Sequence, residues 1–227
     1  VPWCGYGNEE IRGGTGYDIK SKLPEEIEAC QPDYSIYPIF KYSVQLFSRG
    51  CIRNCPFCVV PEKEGYIHPV SPMNLNPIGK YIEVLDNNFF ANPEWRQAIN
   101  YLIKADQPVN FHGVDVRIMN EEQAFYLNKL QHKKQIHIAW DFPNMNLVPQ
   151  ITEMTKHIKP YKIMCYVLIG FNSTPEQDLY RVEKLRELGV DPFVMPYNKK
   201  DKYQRRFARW VNHKAVFKAV KFKDYMG

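Results

Sequence analysis

Ile163-Met164-Cys165-Tyr166-Val167-Leu168-Ile169 is apolar on both of the faces that a β-strand would present. A strand of a sheet with one wet face alternates apolar and polar residues, whereas a parallel strand covered by helices need not. Gly170 ends the run, and Thr174-Pro175-Glu176-Gln177 follows: an N-cap threonine, a first-turn proline and a capping-box glutamine. Gly189 closes the helix that starts there. A buried strand followed by a capped helix is the repeating unit of a parallel α/β sheet.

The same rhythm extends in both directions. Strands are expected near 43–48, 81–86, 109–114, 135–140, 162–169 and 190–196, each followed by a helical pattern. Trp95, Ala98, Ile99, Leu102 and Ile103 fall at i, i+3, i+4, i+7 and i+8, one inward stripe. Asn120 with Gln123 repeats the capping arrangement ahead of Phe125, Leu127 and Leu130. Six such units are fewer than the eight of a full barrel of ~250 residues. The expected fold is therefore α/β, a partial (β/α)6 TIM-like barrel with parallel strands and its chemistry at the C-terminal strand ends. Three regions are expected: a lead-in over 1–42, a core over 43–198 and a basic helical tail over 199–227.

With 227 residues, 44% apolar and 24% charged, the chain is long and apolar enough to bury a core. No run nears the ~20 apolar residues of a membrane span, and no signal-peptide order opens it, so the expectation is a cytoplasmic protein. Gly13-Gly14-Thr15-Gly16 lacks a preceding strand and a following Lys-Ser/Thr, and reads as a turn rather than a phosphate loop. Residues 199–227 hold ten Lys/Arg against Asp201 and Asp224, a balance of +8 where the whole chain has +5. Lys199, Lys200, Lys202, Arg205, Arg206 and Arg209 read as the wet face of a helix whose other face is Phe207, Trp210 and Val211. Such a surface can also meet phosphates.

Of six cysteines, three crowd into Cys51-Ile52-Arg53-Asn54-Cys55-Pro56-Phe57-Cys58. A disulfide framework would space them out, so clustering points to a metal or a cluster. Three thiolates can ligate three irons of a cubane and leave the fourth open to a small chelating molecule. A zinc site of Cys51, Cys55, Cys58 and a fourth ligand such as His68 is the competing reading.

The spacing of these thiols, with Phe57 before the last and Gly50 before the first, resembles the signature of the radical S-adenosylmethionine (radical SAM) superfamily. The resemblance implies a 4Fe-4S cluster on Cys51, Cys55 and Cys58. It implies reductive cleavage of S-adenosyl-L-methionine to a 5′-deoxyadenosyl radical, hydrogen abstraction from a substrate, and an electron donor such as flavodoxin or ferredoxin. It extends over residues 43 to about 197. It places Phe57 against the adenine, and groups in Asp86-Asn87-Asn88 near the amino group of the cofactor. Asp115 and Arg117 of Gly113-Val114-Asp115-Val116-Arg117 fall near its carboxylate or the substrate. Trp140-Asp141 falls near the ribose, and Ile169, Gly170, Asn172 and Tyr197 along the adenine. The segment Val167 to Thr174 departs from the commoner form, which carries a proline near Phe171 or Asn172 and Gly-Glu before the threonine. An ion pair of Asp115 with Arg117 on the rim, and a plain cap for Asp86, are the bland alternatives.

No further cysteine cluster and no Asp-x-His-x-x-Gly cobalamin motif is present. Cys165 reads as a small core residue, and the histidines as satisfied structural groups. The substrate stays open between a small molecule, a peptide and a nucleic acid. A zinc-containing nucleic-acid-binding module is the alternative from another class, and a radical enzyme gripping nucleic acid through its basic tail is the hybrid.

Overall fold

The computed structural model describes residues 18–226. The Gly13 to Gly16 turn and Cys4 lie outside the described residues. The chain divides between Gly113 and Val114 into two compact units.

In the first unit, a short helix α1 (Glu25–Glu28) precedes strand β1 (Ser43–Gln45). Strand β2 (Ser48–Arg49), helix α2 (Val60–Glu64) and strand β3 (His68–Pro69) follow, then β4 (Ile82–Val84), helix α3 (Trp95–Ala105) and β5 (Val109–Phe111). Strands β1, β4 and β5 form a parallel sheet in that order, with Ser43 opposite Ile82 and Ile82 opposite Val109. Strands β2 and β3 form a separate antiparallel ribbon. The expected strand over 43–48 is thus broken after Gln45. The cause lies 39 residues further along the chain: the Phe47 N–H donates to the Asp86 carboxylate (3.1 Å to Oδ2) instead of to a neighbouring strand.

Helix α3 buries Trp95, Ala98, Ile99 and Leu102 as the periodicity predicts. Ile103 is 38% exposed, because eight residues on it has rotated some 80° to the margin of that stripe. Phe89 sits at the centre of an aromatic cluster, 4.9 Å from the Phe111 ring and 5.9 Å from that of Phe47.

The second unit runs α4 (Glu121–Lys129), β6 (Ile136–Ala139), α5 (Val148–His157), β7 (Ile163–Ile169), α6 (Pro175–Glu187), β8 (Asp191–Pro196), α7 (Lys202–Asn212) and α8 (Lys214–Ala219). Its sheet is parallel in the order β6-β7-β8, with Ile136 opposite Ile163 and Ile169 opposite Pro196. Strand β7 buries five of its seven residues, while Met164 and Tyr166 are half-buried. Both reciprocal bonds of the Thr174/Gln177 capping box are present on α6, and those of Asn120/Gln123 on α4. Phe125 turns outward on α4, where the Lys129 ammonium stands 4.4 Å over its ring. Helix α6 packs on β7 and β8, and α7 on β8.

The architecture is α/β with parallel sheets in both units. Among the described residues no helix is long and apolar enough to cross a membrane.

Candidate functional site

The cysteine loop hangs between β2 and α2. Gly50 opens it with φ +77, a left-handed conformation that suits a residue without Cβ, and an added Cβ would stand 2.5 Å from the Tyr66 carbonyl oxygen. The Cys51 N–H donates to the Gly65 carbonyl (3.2 Å), so the loop closes back on the end of α2. One side chain fastens that closure. Glu64 accepts from the Gly50 N–H (2.9 Å) and the Asn87 amide (2.8 Å), and pairs with Arg49 at 3.3 Å. Its role has no local signal in sequence, since its partners lie 14 and 23 residues away.

Cys51, Cys55 and Cys58 are thiols, not disulfides; the first two are half-buried and Cys58 is exposed. A tight turn holds the later pair, with the Cys58 N–H donating to the Cys55 carbonyl at 2.9 Å. Two donors face the Cys51 sulfur: the Arg53 N–H at 3.4 Å and the Asn88 amide at 3.8 Å. Both contacts fix where the sulfur sits. Phe57 is half-buried beside them. Three unbridged thiols on one glycine-hinged loop form a donor set that suits an iron–sulfur cluster. Among the described residues no three His, Cys, Asp or Glu side chains are grouped to chelate a single ion. His68 lies exposed on β3 with Nδ1 3.0 Å from the Tyr66 carbonyl.

Asp86 is almost wholly buried, and its carboxylate takes the Ser48 hydroxyl (2.6 Å) and the Phe47 N–H. Burial pushes its carboxyl above the ordinary range, partly offset by those two hydrogen bonds. Asp86 therefore braces the bend that launches the cysteine loop, a role that helix-cap reasoning did not contain. Asn87 is tied to Glu64 and Asn88 to Cys51. Gly113 lets β5 approach this segment: an added Cβ would meet the Asp86 carbonyl oxygen at 2.1 Å. His112, one residue beyond β5, meets Glu83 at 2.6 Å. Behind Arg49 and Glu64 opens a cavity of ≈ 580 Å³, lined also by Glu28, Cys30, His68 and Met73.

The second unit carries the remaining sequence-predicted residues. Asp115 and Arg117 make a forked pair, Nε to Oδ1 at 2.6 Å and Nη2 to Oδ2 at 2.9 Å. That is the rim ion pair, and it leaves the Asp115 carboxylate engaged. The Trp140 indole is fully buried and donates to the Met145 carbonyl (2.8 Å). Asp141 is half-buried; burial raises its carboxyl, and Oδ1 has no hydrogen-bond partner among the described residues.

Ile169 is likewise buried, and its carbonyl accepts the Tyr197 N–H at 3.0 Å. Gly170 at φ +73 faces Gln204, whose amide nitrogen would lie 2.1 Å from an added Cβ. Asn172 takes a positive φ of 53 and is exposed. Tyr197 is 58% exposed and its ring meets Phe171 edge-on at 5.0 Å. Asp141, Gly170, Asn172 and Tyr197 thus stand at the C-terminal ends of three adjacent parallel strands.

Sequence reasoning missed the group beneath them. Arg181 is fully buried, pairs with Asp178 (2.6 Å), and donates to the carbonyls of Trp140 (2.8 Å) and Asp141 (3.2 Å). The available signal was two charges, three apart, on the helical face that also carries Val182 and Leu185.

Compared with models of known protein families and with curated proteins, the chain matches none.

Proposed function

We propose that the chain is a radical S-adenosylmethionine enzyme whose cluster is held by Cys51, Cys55 and Cys58. The observation that carries this reading is the loop itself: three thiols within eight residues after the first strand of a parallel α/β unit, with two N–H donors aimed at Cys51. When bound, a 4Fe-4S cluster and S-adenosylmethionine together supply the electron transfer and carbon–sulfur cleavage that yield a hydrogen-abstracting 5′-deoxyadenosyl radical.

The chain's own residues supply placement. Gly50 and Glu64 hold the loop closed, and Asn88 with the Arg53 amide holds the Cys51 sulfur in place. Asp86 fixes the bend before the loop. Asn87 and Asn88 are the amide groups from which contacts to the amino end of the cofactor would come. Asp141, with an oxygen to offer, and Gly170, Asn172 and Tyr197 supply a polar and aromatic edge suited to a ribose and an adenine. Arg117 would meet a carboxylate only by sharing its fork with Asp115. The reading carries a fold expectation too: a six-stranded partial (β/α)6 barrel, to which each unit would contribute three parallel strands. An electron donor such as flavodoxin or ferredoxin belongs to the same reading.

Anaerobic reconstitution with iron and sulfide, reduction with dithionite and a search for 5′-deoxyadenosine provide the test. The product is expected from the native chain and lost in Cys58→Ala. Undiminished product in that variant would sink the cluster assignment. Stoichiometric zinc without iron or sulfide in anaerobically purified protein would replace it with the zinc module.

A further inference from the structure

Helix α7 carries cations on one side and core on the other. Gln204, Phe207, Ala208, Trp210 and Val211 are buried, while Lys202, Arg205, Arg206 and Arg209 are exposed. The exposed positions recur every three to four residues, so a cation stands about every 5.4 Å of helix axis. The chain then folds back and adds to this face. Trp210 donates its indole N–H to the Val220 carbonyl (2.9 Å), and the Phe222 ring lies 4.9 Å from that of Phe207 and 5.1 Å from that of Trp210. Arg206 lies over the Phe222 ring at 5.2 Å and donates to the Tyr225 carbonyl. Lys221 and Lys223, which flank Phe222, are thereby brought beside α7. Residues some twenty apart in sequence form one basic surface over an aromatic floor.

Lys199, Lys202, Arg205, Arg209, Lys221 and Lys223 have no ion-pair partner among the described residues, in contrast to Lys214 and Lys218, which meet Asp191. Asp201 does not neutralise them; its carboxylate caps α7 at the Gln204 N–H (2.8 Å). Nor does this surface offer an apolar anchor, because between Tyr197 and Met226 no large hydrophobic side chain is exposed. Protein partners are held by buried aromatic and aliphatic anchors. Nucleic-acid interfaces are more polar and far more positive, and draw most of their affinity from phosphates.

We infer that the α7 surface, extended by the returning 220–225 segment, is a binding site for the phosphate backbone of a nucleic acid. Its cations carry charge and donate hydrogen bonds, which suits the oxygens of successive phosphates. The inference stands apart from the cluster, because it concerns binding alone.

Fluorescence anisotropy of a labelled mixed-sequence single-stranded oligonucleotide with the full chain tests it, over a series of salt concentrations starting at about 50 mM. Binding is expected to weaken steeply with salt. In the triple variant Lys202→Gln/Arg205→Gln/Arg209→Gln, the slope of log affinity against log salt is expected to become shallower by about 2, at roughly 0.7 per lost phosphate contact. The substituted side chains are exposed, and an unchanged thermal melt identifies variants that remain folded. Absence of binding at low salt, an affinity indifferent to salt, or a triple variant that binds like the native chain would each overturn the inference. Equal displacement by polyglutamate of matched charge would do the same, and would assign the surface to an acidic protein.

Discussion

Asn88 and Cys51, thirty-seven residues apart, are joined by a hydrogen bond from the Asn88 amide to the Cys51 sulfur at 3.8 Å. The donor is buried and comes from the end of β4, whereas the sulfur belongs to the loop after β2. One bond thus ties a candidate ligand to the sheet that supports it.

Removing that donor in Asn88→Ala should weaken iron retention by about 10- to 100-fold, the usual loss when a partner of a metal ligand is deleted. Iron released to a chelator from the reconstituted protein measures it. Retention equal to that of the native chain would mean that the amide only supports packing.

Gly50→Ala should destabilise the fold. A left-handed φ costs a residue with a Cβ about 1–3 kcal/mol, and the 2.5 Å approach to the Tyr66 carbonyl adds to this. A lower midpoint in urea unfolding is the expected result. An unchanged midpoint would show that the loop can open without loss.

The Asp178–Arg181 pair is buried on both sides, with side chains 1% and 0% exposed. Arg181→Met should cost about 3–5 kcal/mol, because it leaves a carboxylate in the core with only the hydroxyls of Ser173 and Tyr203 (3.3 Å) to help it. The double variant Asp178→Leu/Arg181→Met removes both charges and should cost less than the single one. Denaturant curves for the native chain, Asp178→Leu, Arg181→Met and the double variant decide this, and simple additivity of the two single losses would refute the pairing energy.

Burial holds the Asp86 carboxyl above its ordinary value of 3.8, against the opposing bonds from Ser48 and Phe47. The folded state therefore prefers the protonated form more than the unfolded chain does. This contribution to stability is present below 3.8 and is lost as pH rises through the raised value. Asp86→Asn should flatten that part of the stability profile. Urea midpoints across the acid range would show the same slope in both proteins if Asp86 were not responsible.

Local signals in the sequence located much of the framework. The Thr174 and Asn120 capping boxes fix where α6 and α4 begin, since each bond lies within three residues, and β7 announces itself by having no polar face. Features set by distant chain were less legible. Nothing near Ser43 says that its strand stops at Gln45, because the cause is a carboxylate at Asp86. Trp140 reads as a strand-end aromatic, and the Met145 carbonyl that takes its indole N–H has no signature in sequence. The cysteine spacing is visible at once. The clasp of Glu64 on Gly50 and Asn87 joins groups that sequence keeps far apart. Phe125 and Ile103 turned outward because the apolar stripe on a helix is narrower than the set of apolar residues it carries.

The Glu64 clasp also bears on how the thiol loop would capture its load. A chelating segment that must be ordered on binding gives up conformational entropy at that moment, which subtracts from affinity. Here one carboxylate already buckles the loop's first residue to the end of α2 and to Asn87 beyond β4, so much of the ordering would precede any metal. Protease sites within 50–64 should accordingly resist cutting before iron is added as well as after it.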